Sequence, residues 1–323
     1  MKLNTRDVEK TDISSVDKLI IENIDSHVSL ARDVCNHLIS SGGKKLRSKL
    51  VLMSHNIFSN GTEKEKKDSL NLAASVEFLH NATLMHDDII DNAKKRRHKP
   101  SANFVFGNNA SILCGDFLFS KSFEMMISTN RTDVLKPLSN AIRVIIEGEL
   151  LQIMYSGAFD ISMNRYIEIV HSKTAVLFSA ACEVGAISAN ASTEEIESLK
   201  MFGENLGMSF QMIDDVLDYD GNEKDTGKDI GADFREGKVT LPIIVCNESL
   251  HDKKKKEFEL SFEEKDFEKC MSFLKSTDSL NKSRIIAKKY SDKAYNIINK
   301  YVKNSLDAKN LQELCDLSIK RRL

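Results

Sequence analysis

Proline is almost missing from this chain: three residues, at positions 100, 137 and 242, out of 323. A proline inside a helix removes a hydrogen bond and clashes with the preceding turn, so long proline-free stretches leave helices uninterrupted. Those stretches carry apolar residues at helical spacing, as in "LNLAASVEFLHNATLMHDDIID", "NAIRVIIEGELLQIM" and "YIEIVHSKTAVLFSAACEVGAI". Strand-like alternation is scarce. "TLPIIVC" comes nearest, and Pro242 could equally open a helix. The reading is an all-α fold. With 41% hydrophobic residues there is enough apolar side chain for a large core, and no Pro/Ser-rich linker divides it. One helical domain over residues 1–323 is expected.

Charge excludes some functions. The net charge of -2 gives no overall basic field to draw nucleic acid. The first residues, "MKLNTRDVEKTDISS", are polar and lack the apolar core of a signal segment, and no apolar run is long enough to span a bilayer. The six cysteines, at 35, 114, 182, 246, 270 and 315, are scattered with no CxxC pair. They read as reduced, mostly buried thiols of a cytoplasmic protein.

One segment breaks the helical pattern. Residues 221 to 238, "GNEKDTGKDIGADFREGK", hold four glycines and many charges. A loop this long inside a domain is usually functional or disordered, and its place directly after an acidic cluster at 213–218 favours the functional reading. Farther on, "KKKK" at 253–256 reads as a solvated face, and "RIIAKKYSDKAYNIINKYV" keeps an amphipathic pattern.

The chemistry lies in two acidic clusters, "HDDIID" at 86–91 and "IDDVLD" at 213–218. Residues three and four apart share a helix face, so Asp87, Asp88 and Asp91 crowd together, as do Asp214, Asp215 and Asp218. Gln211 joins the second stripe at i, i+3, i+4, i+7. Crowded carboxylates repel, and a hard divalent cation removes the conflict. Oxygen-only ligands suit Mg²⁺, which keeps waters and binds a few carboxylates plus substrate phosphates. His86 beside the first cluster reads as structural.

Basic residues recur near these clusters. Lys44 and Arg47 follow two glycines in "GGKKLRSKL"; Arg96 and Arg97 follow the first cluster; Lys173, Lys228 and Lys238 lie near or after the later motifs. Arginine grips phosphate oxygens with a planar fork and lysine supplies a compact charge. "GGK" is not a Walker loop, since the spacing and the preceding strand are missing. Acidic pairs that hold metal, with cations nearby, describe a diphosphate site. Two such clusters facing each other would clamp a leaving diphosphate.

The blocks "GGKKLR", "EFLHNATLMHDDIID", "RRHKPSAN", "CGDFLFS", "EGELLQ", "HSKTAVLF", "FGENLGMSFQMIDDVLD" and "TGKDIGADFREGKVTLP" resemble those of trans-polyprenyl diphosphate synthases, in the same order. The resemblance implies a helical bundle of the isoprenoid synthase type around a deep central cavity, usually a homodimer. It implies head-to-tail condensation of isopentenyl diphosphate onto an allylic diphosphate, with Mg²⁺ on the six aspartates. Arg96 would hold the allylic diphosphate, and Lys44, Arg47, His80 and Arg97 isopentenyl diphosphate. Lys173, Thr174, Gln211 and Lys228 would line the allylic site, with Lys238 nearby. The loop 221–238 would close and exclude water, and the released diphosphate would remove the proton. His98 stands where the family usually has glycine and Ser48 where proline is common; neither replaces a charged site residue.

In that family, bulky aromatics four or five positions before the first aspartate limit the product to farnesyl length. Here those positions are Thr83 and Ala82, both small. The tunnel floor is expected deeper, near Leu138 or Phe123, and the product is expected to be long, octaprenyl favoured, suited to a quinone side chain. Geranylgeranyl or shorter synthesis and a non-catalytic regulatory subunit are the rivals. A class I terpene cyclase would carry Asn, Ser or Thr with Glu in its second motif, where this chain has DDVLD.

Overall fold

The computed structural model describes residues 12–96, 99–220 and 230–320. Helices form where the proline-free amphipathic stretches lie. The first four are α1 (Ile13–Asn23), α2 (Ser29–Ser40), α3 (Leu46–Phe58) and α4 (Glu63–Ile90). Helix α4 starts in a capping box: Thr62 accepts from the Glu65 amide while the Glu65 carboxylate accepts from the Thr62 amide. A two-residue antiparallel ladder follows, β1 (Lys95–Arg96) with β2 (Lys99–Pro100). Then come α5 (Ala102–Phe106), α6 (Asn108–Ser128), α7 (Leu135–Met154) and α8 (Met163–Val170). A π-helical turn, His171–Ala175, leads into α9 (Val176–Ser188) and the long α10 (Thr193–Asp220). The chain ends in shorter helices, among them Leu241–Ser249, Ser279–Asn299 and Leu306–Lys320.

Helix α9 is the hub. It is apolar almost all round, which marks a helix enclosed by others, and it packs against α3, α4, α7 and α10. Helix α4 lies along α6, and α10 along Ser279–Asn299. The two acidic helices share α9 as a neighbour, and the segment 231–238 joins their C-terminal ends, with the Ala232 amide on Asp218 and Lys238 on Asp91. The "TLPIIVC" stretch resolves as helix, with Pro242 in its first turn, where a missing N–H costs nothing. "YIEIVHSKTAVLFSAACEVGAI", expected as one helix, is instead broken by the π-helical turn. All six cysteines are buried and free, as expected. Among the described residues no helix is long and apolar enough to cross a membrane.

Candidate active site

The first acidic cluster sits at the end of α4, with Asp91 as the C-terminal cap. Asp88 is 1% exposed. Its Oδ1 accepts from Arg96 Nε at 2.9 Å and from Arg96 Nη2. Arg96, expected to grip a diphosphate, is therefore seated on an aspartate of the same site. Among the described residues nothing donates to Asp88 Oδ2. Asp91 Oδ2 lies 3.0 Å from the ammonium of Lys238, which also reaches Glu236 at 2.8 Å. Burial works against the charge on Lys238; Asp91, Asp233 and Glu236 overcome it and hold its pKa above the ordinary lysine value. Burial pushes the Asp87 carboxyl up to about 7, and Glu149 and Asp91 add to this while Lys173 and Arg96 oppose it.

The second cluster ends α10. Asp215 is 4% exposed and engaged by protein on both oxygens. Tyr166 OH donates to Oδ2 at 2.7 Å, Gln211 Nε2 to Oδ1 at 2.9 Å, and the Leu241 amide to Oδ2 at 3.3 Å. Burial pushes Asp215 up to about 7, with Asp233 adding to it, against the lowering effect of these donors. Asp218 accepts the backbone N–H groups of Ala232 and Asp233 at 3.1 and 3.2 Å. The chain can turn into that contact because Gly231 adopts φ +71°, a conformation costly for other residues. Asp214 lies on the same helix, partly exposed.

The π-helical turn supplies the third wall. Such turns recur at functional sites because the extra residue re-aims side chains. Lys173 lies 2.8 Å from Glu149 and donates to Gln152 Oε1 at 2.7 Å. This approach needs Gly148: a Cβ there would sit 2.5 Å from Ser172 Cβ. Thr174 Oγ1 donates to Gln211 Oε1 at 2.8 Å. The Gln211 amide oxygen is thus engaged by Thr174. A chain of contacts runs Thr174, Gln211, Asp215, Tyr166.

Arg47 reaches His80 Nε2 at 3.2 Å and stacks 4.8 Å from the Phe178 ring centroid. A guanidinium only donates, so Nε2 accepts and the His80 proton sits on Nδ1. Lys44 lines a cavity of about 770 Å³ with Lys49, Leu206, Phe210 and Leu314, and none of the six aspartates borders it. The two residues expected to limit chain length separate. Thr83 shares the half-buried stripe of His80, Leu84 and Asp87, whereas Ala82 is fully enclosed in the core. Leu138 is enclosed too, but Phe123 is 41% exposed, on the outside of this chain and not at an interior floor. Arg97, His98 and Lys228 lie outside the described residues.

Spacing along the sequence missed Glu149, Gln152 and Tyr166. The block "EGELLQ" carried a signal for the first two, an acid and an amide on the face of α7 that meets Lys173. Among the described residues no three His, Cys, Asp or Glu side chains form a ready-made metal cage.

A family model described as "Polyprenyl synthetase" matches residues 28–276. The chain is 40% identical over 233 residues to octaprenyl diphosphate synthase of Escherichia coli (strain K12), covering 72% of this chain and 71% of that protein. It is 32% identical over 330 residues to geranylgeranyl diphosphate synthase of Sulfolobus acidocaldarius, covering 96% of each. Among solved structures, a polyprenyl synthase of Caulobacter crescentus CB15, complexed with calcium and isoprenyl diphosphate, superposes with TM-score 0.92 at 36% identity, covering 99% of this chain and 97% of that one. The match over most of the chain, on a helical fold that brings the two aspartate-bearing helices to one end, makes this chain a member of the polyprenyl synthetase family, a prenyltransferase of the trans-prenyl diphosphate synthase class.

Proposed function

We propose that this chain, as one synthase domain over residues 1–323, condenses isopentenyl diphosphate head-to-tail onto an allylic diphosphate, farnesyl diphosphate the expected primer, to build a long all-trans chain. Octaprenyl is the favoured product, as a quinone side chain made in the cytoplasm. One observation carries the reading. Lys173 is held by Glu149 and Gln152 beside Asp87, with Thr174 tied through Gln211 to Asp215. Anionic and cationic groups from both acidic helices and the π-helical turn therefore converge where a diphosphate would leave.

The donor set fits a hard divalent cation. It is all oxygen, and Asp87 is crowded by Glu149 and Asp91. Asp87, Asp88, Asp91, Asp214, Asp215 and Asp218 would hold Mg²⁺. Bound Mg²⁺ would neutralise charge on the leaving diphosphate. Arg96, Lys173, Lys228 and Lys238 bind the allylic diphosphate oxygens; Lys44, Arg47, His80 and Arg97 bind isopentenyl diphosphate. The allylic C–O bond breaks, its electron pair leaving with diphosphate, and the double bond of isopentenyl diphosphate adds to the cation. The freed diphosphate takes the proton whose loss restores an alkene. Thr174 uses its proton on Gln211, which leaves its oxygen lone pairs for the cation.

A homodimer fits the surface. Leu113 and Ile127 on α6, with Ile146, Leu150 and Met154 on α7, are large apolar side chains left exposed on two successive helices. A second copy would cover them.

The experiment is product mass from farnesyl and isopentenyl diphosphates, with Mg²⁺ and with chelator. An octaprenyl product only with Mg²⁺ supports the reading. The Sulfolobus relative favours a second reading, and a geranylgeranyl product would establish it. No product from the purified chain alone would assign it to a regulatory subunit. Thr83→Phe should shorten the product; if the full-length chain persists, Thr83 does not line the tunnel.

A further inference from the structure

The cavity beside Lys44 is separate from the aspartates, and its lining is unlike theirs. At about 770 Å³ it falls in the size range of small-molecule sites. Its walls come from α1, α2, α10 and Leu306–Lys320, with Gly42, Gly43 and the first turn of α3 between them. Most of the lining is apolar, Ile21, Ile39, Leu206, Phe210 and Leu314 among it. The charged part is a run of lysines. Lys45 is matched by Asp17. Lys49 is not matched: half-buried on α3, it has no hydrogen-bond or ion-pair partner among the described residues. Burial lowers its pKa below the ordinary lysine value, and no carboxylate offsets this. Glu313, the other acid on the lining, is solvent-exposed. An ammonium drawn out of water without a counter-ion is unfavourable, and an anion in the cavity would relieve it. A ligand that answers both features has an apolar chain and an anionic head.

The cavity also touches the proposed substrate site. The Phe210 ring lies 5.4 Å from that of Phe178, Arg47 stacks on Phe178 at 4.8 Å, and Arg47 reaches His80. We propose that this cavity is a second binding site, for an anionic amphiphile whose head pairs with Lys49 and whose chain lies against Phe210 and Leu314, and that filling it weakens binding of isopentenyl diphosphate. Only the last step rests on the assignment of Lys44 and Arg47 to isopentenyl diphosphate. A head drawn to Lys49 competes for Lys44, and a chain pressed on Phe210 moves the ring stack that seats Arg47. Isoprenyl phosphates and fatty carboxylates share this ligand chemistry.

The test is isothermal titration calorimetry of the full chain with farnesyl monophosphate, laurate and farnesol. EDTA is present, so that no metal-bridged diphosphate site forms. Farnesyl monophosphate or laurate should bind, and the tighter of the two identifies the source. Farnesol has the chain without the charge and should bind at least about tenfold more weakly than farnesyl monophosphate, the scale of one charge-assisted contact. Lys49→Met keeps the stem and should weaken the charged probe by about tenfold while leaving farnesol unchanged. Leu314→Trp fills the cavity and should abolish binding of both; if circular dichroism shows it unfolded, Lys49→Met still decides. The site is overturned if neither charged probe binds, if Lys49→Met binds the charged probe like the parent, or if farnesol binds as tightly as farnesyl monophosphate. Kinetics with Mg²⁺ test the coupling. A charged probe that saturates the parent should raise its KM for isopentenyl diphosphate by about fivefold or more, and should raise that of Lys49→Met less. Without probe the two should have the same KM. A probe that binds through Lys49 and leaves this KM unchanged overturns the coupling and keeps the site. A chain that turns over no substrate would break the proposed function instead, since binding is read without turnover.

Discussion

The two acidic clusters repeat one spacing, D-D-x-x-D, and the fold treats them differently. In the first, Asp88 and Asp91 are matched by charges, the guanidinium of Arg96 and the ammonium of Lys238. In the second, Asp215 is matched by neutral donors, a phenol, an amide side chain and a backbone N–H group, and Asp218 accepts two further backbone N–H groups. A cation paired with a carboxylate can be exchanged for another cation or moved onto a phosphate. A backbone N–H cannot leave. The first cluster is therefore built to exchange partners, and the second to hold its shape.

Substitution should separate the two. Asp87→Ala and Asp215→Ala should each lower kcat by about 10²–10³-fold, the scale for removing one electrostatic group from such a site. Their stabilities should diverge. Asp215→Ala leaves Tyr166 OH, the Leu241 amide and one Gln211 donor buried without an acceptor, at about 1–3 kcal/mol each before relaxation, so a net loss of about 3–4 kcal/mol is expected. Asp87→Ala removes a carboxylate that burial and Glu149 already disfavour, so it should stay within about 1 kcal/mol of the parent. Kinetics together with urea unfolding measure both. Equal stability losses would erase the contrast.

Spacing explains why both clusters were legible in the sequence and their neighbours were not. Steps of three and four place Gln211, Asp214, Asp215 and Asp218 along one side of α10 whatever surrounds that helix. They say nothing of what lies across from it. Tyr166 meets Asp215 over 49 positions, and Lys238 meets Asp91 over 147. Glu149 reaches Lys173 only because Gly148 lets α7 close on the π-helical turn, and the continuous apolar pattern there gave no sign of the extra residue. The same limit applies to Ala82 and Thr83. Adjacent positions point about 100° apart on a helix, so one is sealed in the core while the other shares the stripe of Asp87.

Acid unfolding would blur the two clusters, because a third site titrates in the same range. His55 is buried; its ring Nδ1 lies 2.8 Å from Ser188 Oγ, and that hydroxyl donates to Gly185 O at 2.7 Å. Ser188 therefore accepts from Nδ1–H, and the imidazole is neutral. Burial, aided by Arg131 and opposed by Glu65, pushes the His55 pKa down from 6.5 to about 4. Between these values the unfolded chain binds the proton and the folded chain does not, so stability rises with pH. The contribution is complete above about pH 6.5 and is lost as pH falls through about 4; it amounts to about 3 kcal/mol. His55→Asn keeps a donor for Ser188 and should flatten this part of the stability–pH curve. What slope survives in that variant belongs to the carboxylates. If His55→Asn leaves the curve unchanged, His55 is not the group that titrates.

The smallest effect tests exchange at the first cluster most directly. Lys238 and Asp91 are 23% and 27% exposed, so water partly screens their pairing while burial disfavours both charges, and the net contribution should be no more than about 1 kcal/mol. Lys238→Met should cost about that much at low salt. The cost should shrink toward zero in 1 M NaCl, where the screening length falls to about 3 Å. Asp215 provides the control, since its contacts to Tyr166, Gln211 and the Leu241 amide are with neutral groups and should change little with salt. Asp215→Asn should therefore lose similar stability at both salt concentrations. Urea unfolding of the two variants at 0.1 M and 1 M NaCl gives the comparison. A Lys238→Met cost that persists in high salt would mean that Lys238 is fixed by packing of its stem against neighbouring side chains, and the first cluster would then be as rigid as the second.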